Sequence, residues 1–227
     1  MGKATFFGLS GFHMGPLAVS ATVLTTWLLM ALLAGLSWLG TRRLRVAAPS
    51  RLQTALEGAL LAMLEAIEDV APGHAAQLLP FIGSLWVFIA AANLIGVVPG
   101  LVSPTSDLSL TAGLAFLVFL SVPWFGIRID GLKNYLRHYL YPNPLLLPFS
   151  LISEITRTLA LAIRLYGNMM SLEMAALLVL LVAGFLAPVP VLMLHIVEAL
   201  VQAYIFGMLA LVYVGGALQS YELQHKD

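Results

Sequence analysis

Six ionisable side chains stand inside the last two apolar segments of this sequence: Glu154, Arg157, Arg164, Glu173, His195 and Glu198, with the amides of Asn168 and Gln202 beside them. An ionisable group surrounded by hydrocarbon is costly, so such residues are rare and mark pathways, relays or binding sites. Carboxylates and an imidazole change charge by taking up and releasing a cation, whereas arginine stays charged throughout. These types together suit the movement of a proton or another small cation. With no cysteine in the chain, disulfides, thiolate metal sites and cysteine nucleophiles are excluded. The chain is expected to hold no metal and no cofactor. Of the five histidines only His195 lies inside an apolar segment, which argues against haem.

At about 100° per residue, Ser153, Arg157, Arg164, Asn168 and Ser171 fall within about 60° of one another on a helix. Glu173 points about 180° from Arg164 on the same wheel. His195, Glu198, Gln202 and Tyr213 share a second stripe. In an antiparallel hairpin, residues at equal depth have a constant index sum. Arg164 with Gln202 and Asn168 with Glu198 both sum to 366, and Glu173 with His195 sums to 368. The implied centre falls near Gly184, at the expected turn, so the register predicts one coupled polar layer.

Several of these residues have two readings. Arg157 can carry function, or simply snorkel or pair with Glu154 near a membrane boundary. His195 can be a structural hydrogen-bonding residue, and Glu198 can pair with a polar neighbour without moving anything. Arg164 is harder to dismiss, because it lies deep in its segment and cannot deprotonate. It calls for an anionic partner. No carboxylate here matches its face and depth, so that partner is expected on another subunit.

The elements that must position these groups are membrane helices. The 227 residues are 60% hydrophobic and 10% charged, with a mean hydropathy of +0.96. Soluble domains run nearer 45–50% and about 25%, so a soluble globular chain and a disordered one are both excluded. Eleven basic and eleven acidic residues cancel, and nothing suggests nucleic acid as a partner. The reading is a single polytopic domain over 1–227: a first span and amphipathic helix (1–77), two spans and a connection (78–148), and a polar-striped hairpin with its tail (149–227). Spans are expected at about Leu17–Leu39, Leu78–Val98, Leu108–Ile127, Phe149–Ala183 and Val191–Gln219. The first is read as a retained span rather than a signal peptide, because its apolar run is too long and Arg42, Arg43 and Arg45 follow it.

Between the first two spans, Leu52, Leu56, Ala59, Leu60, Met63, Leu64, Ile67 and Val70 recur at three- and four-residue spacing among charged residues. That is an amphipathic helix over Ser50–Val70, lying in the interface or on a partner. The last two segments exceed the roughly 30 Å hydrocarbon thickness and must tilt steeply, bend or protrude. The connections after the first and third spans carry arginine and lysine, and the one between the second and third carries neither. The positive-inside rule therefore places the N-terminus outside and the C-terminus in the cytoplasm.

The run Leu161-Ala162-Ile163-Arg164-Leu165-Tyr166-Gly167-Asn168-Met169 resembles the signature of subunit a of F-type ATP synthases. Asn93 through Pro99, Pro104-Thr105-Ser106-Asp107, and His195 with Gln202, Ala203, Ile205 and Phe206 extend the likeness over about 78–218. The resemblance implies an all-α subunit that catalyses nothing alone. It would form two ion half-channels against a ring of c subunits and couple H⁺ or Na⁺ flow to rotation and to ATP synthesis or hydrolysis. Peripheral-stalk b-type subunits and the soluble ATPase head are the further implied partners, and a bacterial plasma membrane the implied location. By position, Arg164 matches the arginine facing the ring, Gln202 the glutamine opposite, Asn168 a polar companion, and Glu173 with His195 a pair on the outer access route. Arg157, Ser153, Asp107 and Asn93 are accessory candidates. Departures are Met170 and Leu172 before Glu173, Thr158 where proline is frequent, and Glu198 as an added acid. They suit a divergent branch and leave both ions open. The rival reading is a single-chain secondary transporter or proton-conducting subunit, which inverted repeats and broken helices would favour; neither is apparent.

Overall fold

The computed structural model describes residues 13–14, 17–18, 21–42, 50–98, 103–131, 147–184, 187 and 189–224. Among these, six α-helices follow in order: α1 (Ala21–Thr41), α2 (Arg51–Val70), α3 (Ala75–Ile95), α4 (Leu108–Asp130), α5 (Leu147–Ala183) and α6 (Val189–Gln224). A 3₁₀ turn, Pro104–Ser106, sits between α3 and α4. Five helices are long and apolar enough to cross a membrane: α1 and α3 to α6. The chain is an all-α, multi-pass membrane protein.

The boundaries differ from expectation by a few residues at most helices; the second span, expected over Leu78–Val98, is α3 over Ala75–Ile95, where Gly96 ends it. The first span is expected from Leu17, but Leu17–Ala18 pair with His13–Met14 as a two-residue antiparallel bridge, so their backbone is committed to that pairing and α1 begins at Ala21. The connection expected from 128 starts later, because α4 runs through Arg128 to Asp130. Gly131 ends it with φ +81°, a left-handed geometry suited to glycine, while its N–H still bonds Ile127 O at 2.9 Å. Residues 132–146, which hold Lys133, Arg137 and His138, lie outside the described residues.

The amphipathic helix is α2. Ser50 caps it by accepting a hydrogen bond from the Gln53 N–H at 3.2 Å. Its C-terminal half packs Met63, Leu64, Ile67 and Val70 on the core, while Leu52, Leu56, Leu60 and Leu61 stay exposed nearer its start. Thus α2 is only half docked, and its exposed leucines face the surroundings of the chain, as an interfacial helix would.

The core is built where α3 packs on α6 and α4 packs on α5, with α5 and α6 side by side. Leu78, Ile82 and Ile89 of α3, Leu165 and Met169 of α5, and Phe206, Leu211 and Val214 of α6 are all fully buried. Trp86 fixes α3 against α6. Its indole lies across Gly207, where any Cβ would collide with the ring. Its Nε1 donates to Tyr204 O at 3.2 Å, and the two rings stack with centroids 6.0 Å apart. Close approach demands glycine at 207, and the contact sets which face of α6 turns inward.

The helices α5 and α6 contain 37 and 36 residues, roughly 55 Å each at about 1.5 Å per residue. Gly184, with φ +85°, turns the chain between them. They run antiparallel, and the register is visible in two contacts: Asn168 with Gln202 and Arg157 with Tyr213, each pair summing to 370.

Candidate functional site

Register decides what meets what, and it lies one helical turn from the expected 366. The Asn168 Nδ2 donates to Gln202 Oε1 at 2.8 Å, so Asn168, rather than Arg164, is the direct neighbour of Gln202. The reason is chemical complementarity within a packed seam. Two amides match donor to acceptor, and this alignment also buries Phe206, Ala210 and Leu211 behind them. Arg164 stands one turn away, about 6 Å along the axis, on the exposed edge of α5. Among the described residues it has no hydrogen bond and no ion pair.

A second group of polar residues sits behind the hairpin, where the 3₁₀ turn inserts. The Ser103 N–H donates to Glu173 Oε1 at 3.0 Å, and the Ser103 hydroxyl donates to Ala92 O at 2.9 Å. The same proton is shared with Thr105 Oγ1 at 2.6 Å, and Thr105 donates its own to Asn93 Oδ1 at 2.6 Å. Asn93 completes the chain by donating to Ala199 O of α6 at 3.2 Å. Ser103, Thr105 and Asn93 are all fully buried. One continuous hydrogen-bonded path therefore joins a carboxylate on α5 to the backbone of α6 through α3 and the turn.

His195 belongs to this group. Its ring is 1% exposed and lies near Gly96, where a Cβ would stand 3.4 Å from His195 Cε1 and 3.0 Å from Ser103 Cβ. The glycine is what allows His195 and the turn to approach. The Ser103 that holds Glu173 is also the neighbour of this glycine, so Glu173 and His195 are brought to one place. Two buried atoms, His195 Nε2 and Gln202 Nε2, find no hydrogen-bond partner among the described residues. Polar atoms at such depth are normally satisfied, so each of these two has a hydrogen bond still to make.

The remaining candidates are dispersed. Arg157 stacks over the Tyr213 ring at 4.2 Å, beside Glu154, Thr158 and the α4 residues Val118 and Val122. This places a cation near the far end of the hairpin, well away from Glu173. Ser153 is exposed on α5. Asp107 caps α4, accepting from the Ser109 N–H at 3.0 Å, which is a structural task. Glu198 is half-buried on α6.

The linking roles of Ser103 and Thr105 and the Arg157–Tyr213 stack were not singled out by spacing. Four consecutive residues, Ser103 to Ser106, are all hydroxyl residues except Pro104, and that run between two spans was the available signal. The arrangement as a whole offers a fixed cation on an open edge, a paired amide layer beside it, and a buried carboxylate–imidazole group behind. Groups of this kind can receive, hold and pass a small cation.

Comparison with known proteins agrees with one family over most of the chain. The family described as ATP synthase A chain matches residues 23–215. The chain is similar to "ATP synthase subunit a 2" of Pelobacter propionicus, 63% identical over 211 residues, covering 93% of this chain and 92% of that protein. "ATP synthase subunit a 1" of Hahella chejuensis is 62% identical over 207 residues, covering 91% and 88%. "ATP synthase subunit a" of Legionella pneumophila is 53% identical over 224 residues, covering 99% and 97%.

Proposed function

We infer the role of this chain from its family: it belongs to the ATP synthase A chain family, and we propose that it is the membrane stator against which a ring of c subunits turns. In this reading it forms two ion half-channels with the ring and couples H⁺ or Na⁺ flow to rotation, and so to ATP synthesis or hydrolysis. Stalk b-type subunits and the soluble ATPase head are its further partners.

The observation that carries the reading is Arg164. A permanently charged guanidinium in the middle of an apolar helix, on an open edge and without an anion among the described residues, needs a partner from outside. A ring carboxylate supplies that charge. When it carries its ion it is neutral and can pass through lipid; ionised, it cannot. Beside Arg164 the ionised form is favoured, so the ion leaves into one half-channel. The Glu173–His195–Ser103 group serves as the outer access route. Each unit charge crossing 100 mV supplies about 2.3 kcal/mol, so several cross per ATP made.

The test is reconstitution. Vesicles holding this chain alone should show no ion flux under an imposed potential, and vesicles holding it with a c-type ring should conduct. Conduction by the chain alone at the same rate points to the single-chain transporter instead.

The orientation, N-terminus outside and C-terminus in the cytoplasm of a bacterial plasma membrane, rests on the arginines after α1 and the lack of lysine and arginine between α3 and α4. Because the chain has no cysteine, single cysteines report on it cleanly. Ser109→Cys at the exposed start of α4 should react with an impermeant thiol reagent from outside. Glu65→Cys on α2 should react only once the membrane is opened. The opposite pattern reverses the orientation.

A further inference from the structure

Glu198 is a carboxylate in the interior of the fifth span, nine residues past Val189, and neither the buried group nor the amide layer uses it. It is half-buried, and among the described residues it has no hydrogen bond and no ion pair. Its position on α6 follows from its neighbours. Ala199 faces α3, because its carbonyl accepts from Asn93; Gln202 faces α5, because it meets Asn168. At about 100° per residue, Glu198 lies about 40° from Gln202, on the side away from Ala199. That is the α5 side of the helix, at the rim where the buried face gives way to the exposed one. On α5, Arg164 and Ser171 occupy the facing open edge.

Its depth is equally defined. Glu198 stands about 4.5 Å along the axis from His195 and about 6 Å from Gln202, between the two side chains whose Nε2 atoms are buried and unpartnered. Gln202 is one turn further along, at the i,i+4 spacing at which side chains meet. An ionised Glu198 can accept from that free amide N–H, which offsets the cost of the empty charged state. A cation bound to the carboxylate replaces that contact.

We propose that Glu198 is an additional cation-binding station, passing a monovalent cation between the buried His195 group and the open α5–α6 edge that faces the ring. The proposal rests on the ring-facing reading of Arg164 given above. For a proton, hydronium gives up H⁺ to the carboxylate, leaving water and a carboxylic O–H; the reverse step, to the next acceptor, restores the carboxylate. For sodium, the carboxylate replaces one water of the ion's shell. Both sources share one chemistry, a small monovalent cation held by a single carboxylate.

The test uses the chain assembled with a c-type ring in vesicles, with flux driven by an imposed potential and measured per assembled complex, with and without sodium. Glu198→Gln is expected to slow flux about tenfold and to raise the cation concentration needed for half-maximal flux. That is below the 10²–10⁴ of a sole proton-transfer group, since water shares the task. Glu198→Asp keeps part of the rate, and Glu57→Gln, an exposed carboxylate on α2, changes nothing. Glu198→Cys removes doubt about folding, because the charge is restored after assembly. Modification with a carboxyethyl thiol reagent should recover flux, and a methyl reagent of the same reactivity should not. A shift seen in proton concentration assigns H⁺ as the cargo, and a shift seen only in sodium assigns Na⁺. Glu198→Gln conducting like the parent at every concentration, or recovery with the neutral reagent, overturns the station. Arg164→Ala in the same vesicles separates the two readings: normal coupled flux there overturns the ring-facing role itself, whatever Glu198 does.

Discussion

Replacing Arg164 by alanine is expected to abolish ion-driven ATP synthesis while leaving the complex assembled. Arg164 lies on the exposed edge of α5 and makes no hydrogen bond or ion pair among the described residues, so its removal deletes charge rather than packing. Leu161 and Leu165, which hold this stretch of α5 in the core, are untouched. Without the guanidinium, a ring carboxylate reaching this edge has nothing that favours its ionised form. It passes still carrying its ion, and rotation no longer requires exchange. Passive ion leak through the assembled complex is expected to rise, because the fixed cation also repels a cation crossing straight between the half-channels.

Arg164→Lys sharpens the test. Lysine keeps a cation but loses the planar fork, and it can deprotonate in an apolar setting. It too is expected to fail to sustain synthesis. Arg157→Ala is expected to do much less. Its guanidinium already has a partner in the Tyr213 ring, and an exposed cation–π contact contributes only about 0.5–1 kcal/mol. Membrane vesicles report both quantities: ATP made under an imposed gradient, and retention of the ring and the soluble head. An Arg164→Ala complex that makes ATP at the parental rate would defeat the assignment.

The sequence carried the elements of this fold because they depend on local properties. Hydropathy and length are enough to find five spans, and three- and four-residue spacing is enough to find α2. The hairpin was legible for the same reason, since Gly184 breaks a continuous apolar pattern at the point where the two stripes mirror each other. What spacing could not resolve was a displacement by one turn. Index sums of 366 and 370 are almost equally compatible with the polar stripes, because four residues return nearly to the same face. The choice was made by contacts between α5 and α6: the Asn168–Gln202 amide pair and the Arg157–Tyr213 stack. Glu173 shows a different limit. Its divergence from Arg164 was visible on the wheel, but what it diverges toward was not, because Ser103 lies seventy residues away in sequence. Asp107 carried a polar signal of the right kind and is explained by the cap of α4.

Asn93 is where that long-range organisation is most exposed to a single change. It is fully buried, and its amide joins Ala199 O on α6 and the Thr105 hydroxyl on the turn. Asn93→Ala removes both bonds, leaving Ala199 O with its bond inside α6 and the Thr105 hydroxyl with its Ser103 contact. A typical buried hydrogen bond contributes about 0.5–1.5 kcal/mol net. Interhelical hydrogen bonds within bilayers average nearer 0.6 kcal/mol, because alternative partners are often found. Two bonds are lost at once while each partner keeps another, so a loss of about 1–2 kcal/mol is expected. Thr105→Val should cost less, since Asn93 keeps its bond to Ala199. The double variant should cost less than the sum of the two, because the interaction they share is lost only once. The consequence extends to Glu173, since Ser103 is placed by Ala92 and Thr105, and its N–H holds the carboxylate. Slower ion flux should therefore accompany the lower unfolding midpoint in detergent, with Arg164 still in place. Parental stability in Asn93→Ala would mean that the path from α5 to α6 through this amide holds nothing together.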